Sequence, residues 1–289
     1  MISATMYSDP ACPWAYSESP ALRVLEWRYG DELEWRLVLI GLSEDSSRYA
    51  ALGYTPLRGA LGHLGFRRYG MPFSPAPKER MSATARACRA VVAARLAQPG
   101  SEWRVFRALQ LANFSTPLLL DDDAQLAEAL RGLAGVDADA IVASLDDPAV
   151  TEAYERDRAE ARSAAGSPSE LQGKTATSDG VVRFTAPSLV FASDGRRLEA
   201  GGFQPVEAYD VLVANLAPDI DRRAVPDTPA PLLEHFPDGV TTQEVAAMLA
   251  EGNDAPDRVA AEAALLELVA EGEAERVPLG DDALWRPRG

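Results

Sequence analysis

The chain has 289 residues, of which 47% are hydrophobic and 25% charged, so it holds enough apolar material for a packed core in one large or two modest domains. Its formal net charge of −16 argues against a nucleic-acid partner, because phosphates require a clustered positive surface; solubility and self-repulsion are the simpler reading. No run approaches the roughly 18–20 consecutive apolar residues that span a bilayer, and Met1-Ile2-Ser3-Ala4-Thr5 enters a strand without a basic or h-region, so the expectation is a cytoplasmic protein with no membrane partner.

Ile2 to Tyr7 reads as a buried strand, and Trp14 to Tyr29 reads as a helix. Between them stands Cys12-Pro13-Trp14-Ala15. A cysteine at a helix N-terminus faces unpaired backbone N–H groups and the positive end of the helix dipole, which favour thiolate over thiol. Pro13 suits the first helical position, which has no intrahelical N–H bond to lose. Trp14 either covers hydrophobic surface or walls the site and binds an apolar substrate. Ala15 stands where a C-x-x-C oxidoreductase carries its second cysteine, so the pattern predicts a nucleophile without an internal partner.

Glu34 to Ile40 is the second strand, joined to the first through the helix as a βαβ unit. Residues 41–77 lack a sustained period and read as loop and short helical pieces. From Ser82 the chain turns helical: Ala83 to Leu96 capped by Ser82, Glu102 to Ala112 by Ser101, Ala124 to Leu133 by Asp123, Ala138 to Leu145 by Asp137, then Pro148 to Ala164. Residues 166–180 are small and polar, and read as a mobile loop. Ser188 to Ala192 and Arg197 to Ala200 flank Asp194-Gly195, a hairpin signal because a type I′ turn needs φ > 0 at both central residues. Pro205 to Leu216 closes the unit as a helix.

The expected architecture is α/β. A thioredoxin-like domain (1–44 and 180–217) carries an inserted helical domain (45–179), followed by a proline-rich linker (218–238) and a small module (239–289). That last segment reads helix, helix, hairpin, and looks like a winged helix set apart from the rest. Glu262, Glu267, Glu271, Glu273 and Glu275 make it acidic, which points to intramolecular or protein contact rather than to DNA.

Strand, Cys-Pro-Trp, helix, a long helical stretch, then Thr185-Ala186-Pro187 before another strand resembles the DsbA-like branch of the thioredoxin superfamily. That branch includes FrnE-like members and the related kappa-class glutathione transferases. The resemblance covers roughly residues 1 to 216. It implies a helical insertion in a thioredoxin fold, Cys12 as catalytic cysteine, and a cis-proline at Pro187 facing it. An X-Pro bond taken alone would be trans. A cis bond there would turn the Ala186 backbone outward, able to pair with an extended peptide or thiol ligand, so Pro13, Trp14, Ala15, Ala186 and Pro187 are the candidate substrate-binding residues. Ala15 departs from the usual Cys-Pro-Trp-Cys.

Without a second thiol, a mixed disulfide on Cys12 persists until an external thiol attacks it. The leading expectation is therefore a monothiol thiol–disulfide oxidoreductase acting on a disulfide-bearing peptide or protein. No cofactor is tightly bound, and glutathione or mycothiol serves as co-substrate. A kappa-class-like transferase or isomerase, and a non-catalytic binding protein, are the alternatives; a homodimer is left open. Cys88 reads as a buried structural thiol, with a secondary reading as the missing partner. His63, beside Phe66, Arg67, Arg68 and Tyr69, has no spacing to support a role as base. Gly173-Lys174-Thr175 lacks the first glycine of a phosphate loop, Asp121-Asp122-Asp123 reads as helix capping rather than as a calcium site, and two histidines make a histidine-rich metal site impossible.

Overall fold

A computed structural model describes residues 1–74 and 76–288, and for Arg48 the backbone alone. Two parallel strands, β1 (Ile2–Ser8) and β2 (Leu33–Leu39), are joined through α1 (Pro13–Ser17) and α2 (Ser19–Tyr29). The chain then leaves the sheet through α3 (Ser47–Ala51), α4 (Pro56–Phe66), α5 (Ala85–Ala97), α6 (Ser101–Ser115), α7 (Asp123–Leu130), α8 (Ala138–Ala143), α9 (Pro148–Ala161) and α10 (Pro168–Leu171). It returns by a hairpin of β3 (Thr175–Ser178) and β4 (Val181–Phe184), then β5 (Ser188–Ser193), β6 (Arg196–Gly201) and α11 (Val206–Leu216). The four-stranded order is β2-β1-β5-β6, with β5 antiparallel to both neighbours. This is the thioredoxin-like arrangement with a helical insertion.

Strand alternation assigns each face of the sheet. Ile2, Ala4 and Met6 of β1, Leu33, Leu37 and Leu39 of β2, and Leu189 and Phe191 of β5 point into the main core with α5, α6 and α9. Fully buried leucines such as Leu37 each contribute about 1.5–3 kcal/mol by transfer from water. The intervening residues Tyr7, Val38 and Val190 line a smaller cluster on the other face, together with Cys12, Ala15, Phe184 and Ala186. One strand thus supplies the structural core from its even positions and the floor of the site from Tyr7.

Some helix boundaries follow side-chain caps and some do not: α5 starts at Ala85 after Thr84 rather than at Ala83 after Ser82, and Ser101 is the first residue of α6 after Gly100 rather than its cap, neither helix having a side-chain cap bond. Asp122, Asp137 and Ser167 accept N–H bonds from Gln125, Ala140 and Glu170, so α7 starts one residue before the sequence expectation and α8 where expected. Residues 166–180 are a correction: they form α10 and β3, not an unstructured loop. Ser167 caps a helical turn, and Asp179-Gly180, at φ 55° and 78°, turns β3 into β4 as Asp194-Gly195, at 49° and 75°, turns β5 into β6.

Past α11 the chain forms α12 (Ala230–His235) within the proline-rich stretch, then β7 (Val240–Thr241), α13 (Thr242–Leu249), α14 (Arg258–Glu271), β8 (Ala274–Leu279) and β9 (Asp282–Pro287), the strands ordered β7-β9-β8. This module does not stand apart. Helix α13 packs on α2, and Val24 and Trp27 of α2 share a core with Val240, Val245, Leu265 and Trp285. At the seam lies Glu244, with no solvent exposure. Its carboxylate accepts two 2.7 Å bonds from the Arg107 guanidinium of α6, one from Ser19 of α2, and one at 2.7 Å from the Thr241 amide of its own capping box. Burial alone would raise this carboxyl, but the Arg107 pair outweighs it and holds it down at about 2. One residue therefore ties the sheet domain, the helical insertion and the C-terminal module together.

Candidate active site

The site begins with the turn after β1. Asp9 is buried without exposure, and its carboxylate accepts the Ala11 and Leu42 amides at 2.9 Å each, while its carbonyl accepts the Cys12 amide at 3.1 Å. Asp9 thus fixes the loop that delivers Cys12, a role the sequence reading did not assign. The only local signal was an Asp-Pro pair three residues ahead of the cysteine. Burial raises the Asp9 carboxyl, against the pull of its amide donors.

Cys12 occupies the N-cap of α1 in extended backbone, with Pro13 in the first turn. Its Sγ donates to the carbonyl of Ala186 at 3.1 Å. The Ala186–Pro187 peptide is cis. Ala186 is itself buried and belongs to the same apolar cluster as Cys12, while Thr185 donates to the Lys174 carbonyl at 3.0 Å and meets the Ser188 hydroxyl at 3.1 Å. The structure therefore brings Cys12, Pro13, Ala15, Ala186 and Pro187 together.

The ionisation state of Cys12 is a correction to the sequence expectation. The thiol is 6% exposed, and burial pushes it up to about 12; the Trp14 and Ala15 amides and the Arg183 charge pull the other way and lose, with the nearby Asp9 charge adding to the rise. The reason is local. The sulfur sits in an apolar cluster with Ala15, Phe184 and Ala186, and the amide donors at the start of α1 do not offset that desolvation. Burial therefore favours the thiol over the thiolate at Cys12 in the resting protein.

Trp14 is 39% exposed and stands at the surface beside the sulfur. Its ring meets Phe66 at 4.8 Å, Phe203 at 5.5 Å and Tyr69 at 5.7 Å between centroids, and Tyr69 meets Phe203 at 4.9 Å. Phe66 and Tyr69 come from the insertion and Phe203 follows β6, so this aromatic rim is assembled from three distant stretches that no local motif links. On the insertion side a cavity of about 260 Å³ opens beside Pro13 and Ala11.

Cys88 is fully buried in α5, and its thiol meets the Asp9 carboxylate at 3.6 Å. Burial, then the Asp9 charge, hold it well above the ordinary range. His63 packs on the rings of Phe73 and Phe114, and burial lowers it to about 4, so it is a neutral wall of the cavity. Asp121 and Asp123 pair with Arg80 and Arg86, Gly173 follows α10 at φ 67°, and among the described residues no cluster of His, Cys, Asp or Glu could hold a metal ion. Among the described residues no helix is long and apolar enough to cross a membrane.

Comparison with known proteins agrees with this fold. The family model for the DSBA-like thioredoxin domain matches residues 5–169, more than half of the chain. Among solved structures, a putative protein disulfide isomerase from Nitrosomonas europaea is similar with a TM-score of 0.55 at 19% identity, over 74% of this chain and 96% of that one. The cytosolic disulfide reductase DsbM from Pseudomonas aeruginosa is similar with a TM-score of 0.51 at 19% identity, over 74% of this chain and 100% of that one. The ClpXP adapter protein SpxH from Shouchella clausii is 25% identical over 284 residues, 97% of this chain and 86% of its own length, a span that takes in the C-terminal module.

Proposed function

This chain belongs to the DSBA-like thioredoxin domain family, a family of thiol–disulfide oxidoreductases, and from that premise we propose that it works as a monothiol enzyme through Cys12. The observation that carries this reading is the Cys12 sulfur seated 3.1 Å from the Ala186 carbonyl, with Ala15 where a resolving thiol would stand. Cys12 gives up its proton and its sulfur attacks a disulfide R–S–S–R′ of a peptide or protein. The Cys12–S–S–R bond forms, R–S–S–R′ breaks, and R′–S⁻ leaves with the electron pair and takes the proton. A low-molecular-weight thiolate, glutathione or mycothiol, then attacks on the R side, leaving R–S–S–G and the Cys12 thiolate, which is reprotonated.

The protonated resting state makes Cys12 a latent nucleophile. A substrate backbone that pairs with residue 186 competes with the Cys12 S–H for the Ala186 carbonyl, and the Trp14 and Ala15 amides with the Arg183 charge then favour the thiolate. The rim of Trp14, Phe66, Tyr69 and Phe203 suits an apolar residue next to the target disulfide. A cytoplasmic setting, where small thiols are reduced and abundant, fits this chemistry.

The test is reduction of a glutathionylated peptide with the small thiol varied. The wild type and Cys88→Ser should turn over at rates proportional to thiol concentration, and Cys12→Ser should be inactive. Activity retained in Cys12→Ser would overturn the reading in favour of a kappa-class-like transferase that activates the small thiol itself.

A second reading is favoured by one specific observation: the similarity to an adapter protein runs through the C-terminal module as well. In that reading the fold presents a bound protein to other machinery, and Cys12 only packs. Wild type and Cys12→Ser that capture the same partners, with no turnover by either, would select it.

A further inference from the structure

The cavity beside Pro13 is built around hydrogen-bond donors that the protein itself leaves unused. It encloses about 260 Å³ between α1, α4 and α6, with apolar walls from Leu42, Phe66, Met81 and Phe114. Asn113 of α6 lines it and is only 7% exposed. The side-chain oxygen of Asn113 accepts from the Lys78 ammonium at 3.2 Å. An ammonium can only donate, so this contact fixes which end of the amide is oxygen; the nitrogen end donates to nothing among the described residues. The Ser82 hydroxyl, on the same wall, is buried and also without a partner. Buried donors of this kind are costly unless something accepts from them.

The neighbouring charges select the acceptor. Among the described residues no carboxylate lines the cavity, while Arg58, Lys78 and Arg80 do. Arg80 is matched by Asp121, which it meets at 2.6 Å and which also takes the Ala83 amide at 2.8 Å. The Asp121 charge acts on Lys78 as well, but the ammonium bonds only to neutral oxygens, those of Asn113 and of the Leu118 carbonyl. Burial lowers Lys78 to about 8, so it is cationic at neutral pH. Arg58 stands at the exposed rim over the Tyr54 ring and donates to the Leu52 and Gly53 carbonyls, with no ion pair among the described residues. His63 is neutral. With Asp121 set against Arg80, two positive charges remain, and they favour a negatively charged acceptor.

We propose that this cavity binds a small carboxylic acid with an apolar body. The carboxylate accepts from the Asn113 amide and the Lys78 ammonium, and the body lies against Phe66, Met81 and Phe114. The volume is at the small end for ligand cavities, which suits a body of about one aromatic ring. The proposal is independent of the chemistry at Cys12.

The test is isothermal titration calorimetry of the full chain at neutral pH with 3-phenylpropionate, 3-phenylpropanamide and acetate. The aromatic acid should bind at one site per chain, the amide at least fivefold more weakly, and acetate without saturation over the same range. Lys78→Gln and Asn113→Leu should each weaken the acid at least fivefold with an unchanged near-ultraviolet circular dichroism spectrum. Cys12→Ser, and Arg156→Glu on α9, should bind it as the wild type does. Lys78→Gln keeps the test decisive if Asn113→Leu does not fold. The proposal is overturned if the acid does not bind, if the amide or acetate binds as tightly, or if Lys78→Gln binds as the wild type does. It is equally overturned if Cys12→Ser abolishes binding, which would put the acid at the catalytic sulfur.

Discussion

Slow alkylation of Cys12 in the native protein is the sharpest consequence of its burial. Its thiol is raised from 9.0 to about 12, which at about pH 7.5 leaves roughly 1,000-fold less thiolate than an unperturbed cysteine has. A more basic thiolate is also the better nucleophile; a Brønsted coefficient of about 0.4–0.5 returns a factor of roughly 20. The net expectation is iodoacetamide labelling about 50-fold slower than in the same protein unfolded in guanidinium, before any further loss from restricted access. The assay follows the Cys12 peptide by mass spectrometry after quenched labelling across a pH series. Its native rate should still be climbing at about pH 10, whereas the unfolded rate levels off near about pH 9. The same shift sets a stability window. A raised thiol pKa favours the folded state fully below the unfolded value of 9.0, and that contribution is lost as pH rises toward about 12. Labelling as fast as in the unfolded chain, or an inflection at or below about pH 8.5, would refute the burial argument.

Other consequences lie elsewhere in the fold. Arg107→Ala leaves the Glu244 carboxylate buried without its main partner and should cost about 3–5 kcal/mol in chemical denaturation. The wild type should hold the stabilisation from Glu244 above the ordinary carboxyl value of 4.5 and lose it as pH falls toward about 2, visible as a loss of unfolding midpoint that Glu244→Gln no longer shows. Gly62→Ala, whose new methyl enters open space, should stabilise by about 0.5–1 kcal/mol. Gly41→Ala, at φ 62° with a Cβ position 2.2 Å from the Tyr154 hydroxyl, should destabilise in the same thermal-unfolding series. Ala15→Cys should restore a dithiol, so that a single turnover of a glutathionylated peptide by the reduced variant proceeds without external thiol and leaves a disulfide between Cys12 and the introduced thiol, which an external reductant must then reduce before the next cycle.

What could be read from the sequence was what is local. The apolar run at 2–7, the Asp137 cap of α8 and the Asp194-Gly195 turn each carry their cause within a few residues, and the first of them places Cys12 at a strand–helix junction. The same Asp-Gly signal stands at 179–180 inside a polar stretch with no apolar run ahead of it, and there it turns β3 into β4. The long-range terms were not legible. How far a thiol's pKa moves depends on what lies over it, and the residues packed with Cys12, Phe184 and Ala186, stand more than 170 positions away in sequence. Asp9 acts through amides on both sides of the site, the aromatic rim joins Trp14 to Phe66, Tyr69 and Phe203, and the C-terminal module reads as separate because Glu244 and Arg107 meet across 137 positions.

The most direct test of the account is the intact mass of the native wild type, Cys12→Ser and Cys88→Ser after exposure to oxidised glutathione, with the adduct located by digestion. The account predicts one adduct, on Cys12, in the wild type and in Cys88→Ser, none in Cys12→Ser, and no bond between Cys12 and Cys88. An unmodified Cys12, or an adduct carried by Cys88, would contradict it.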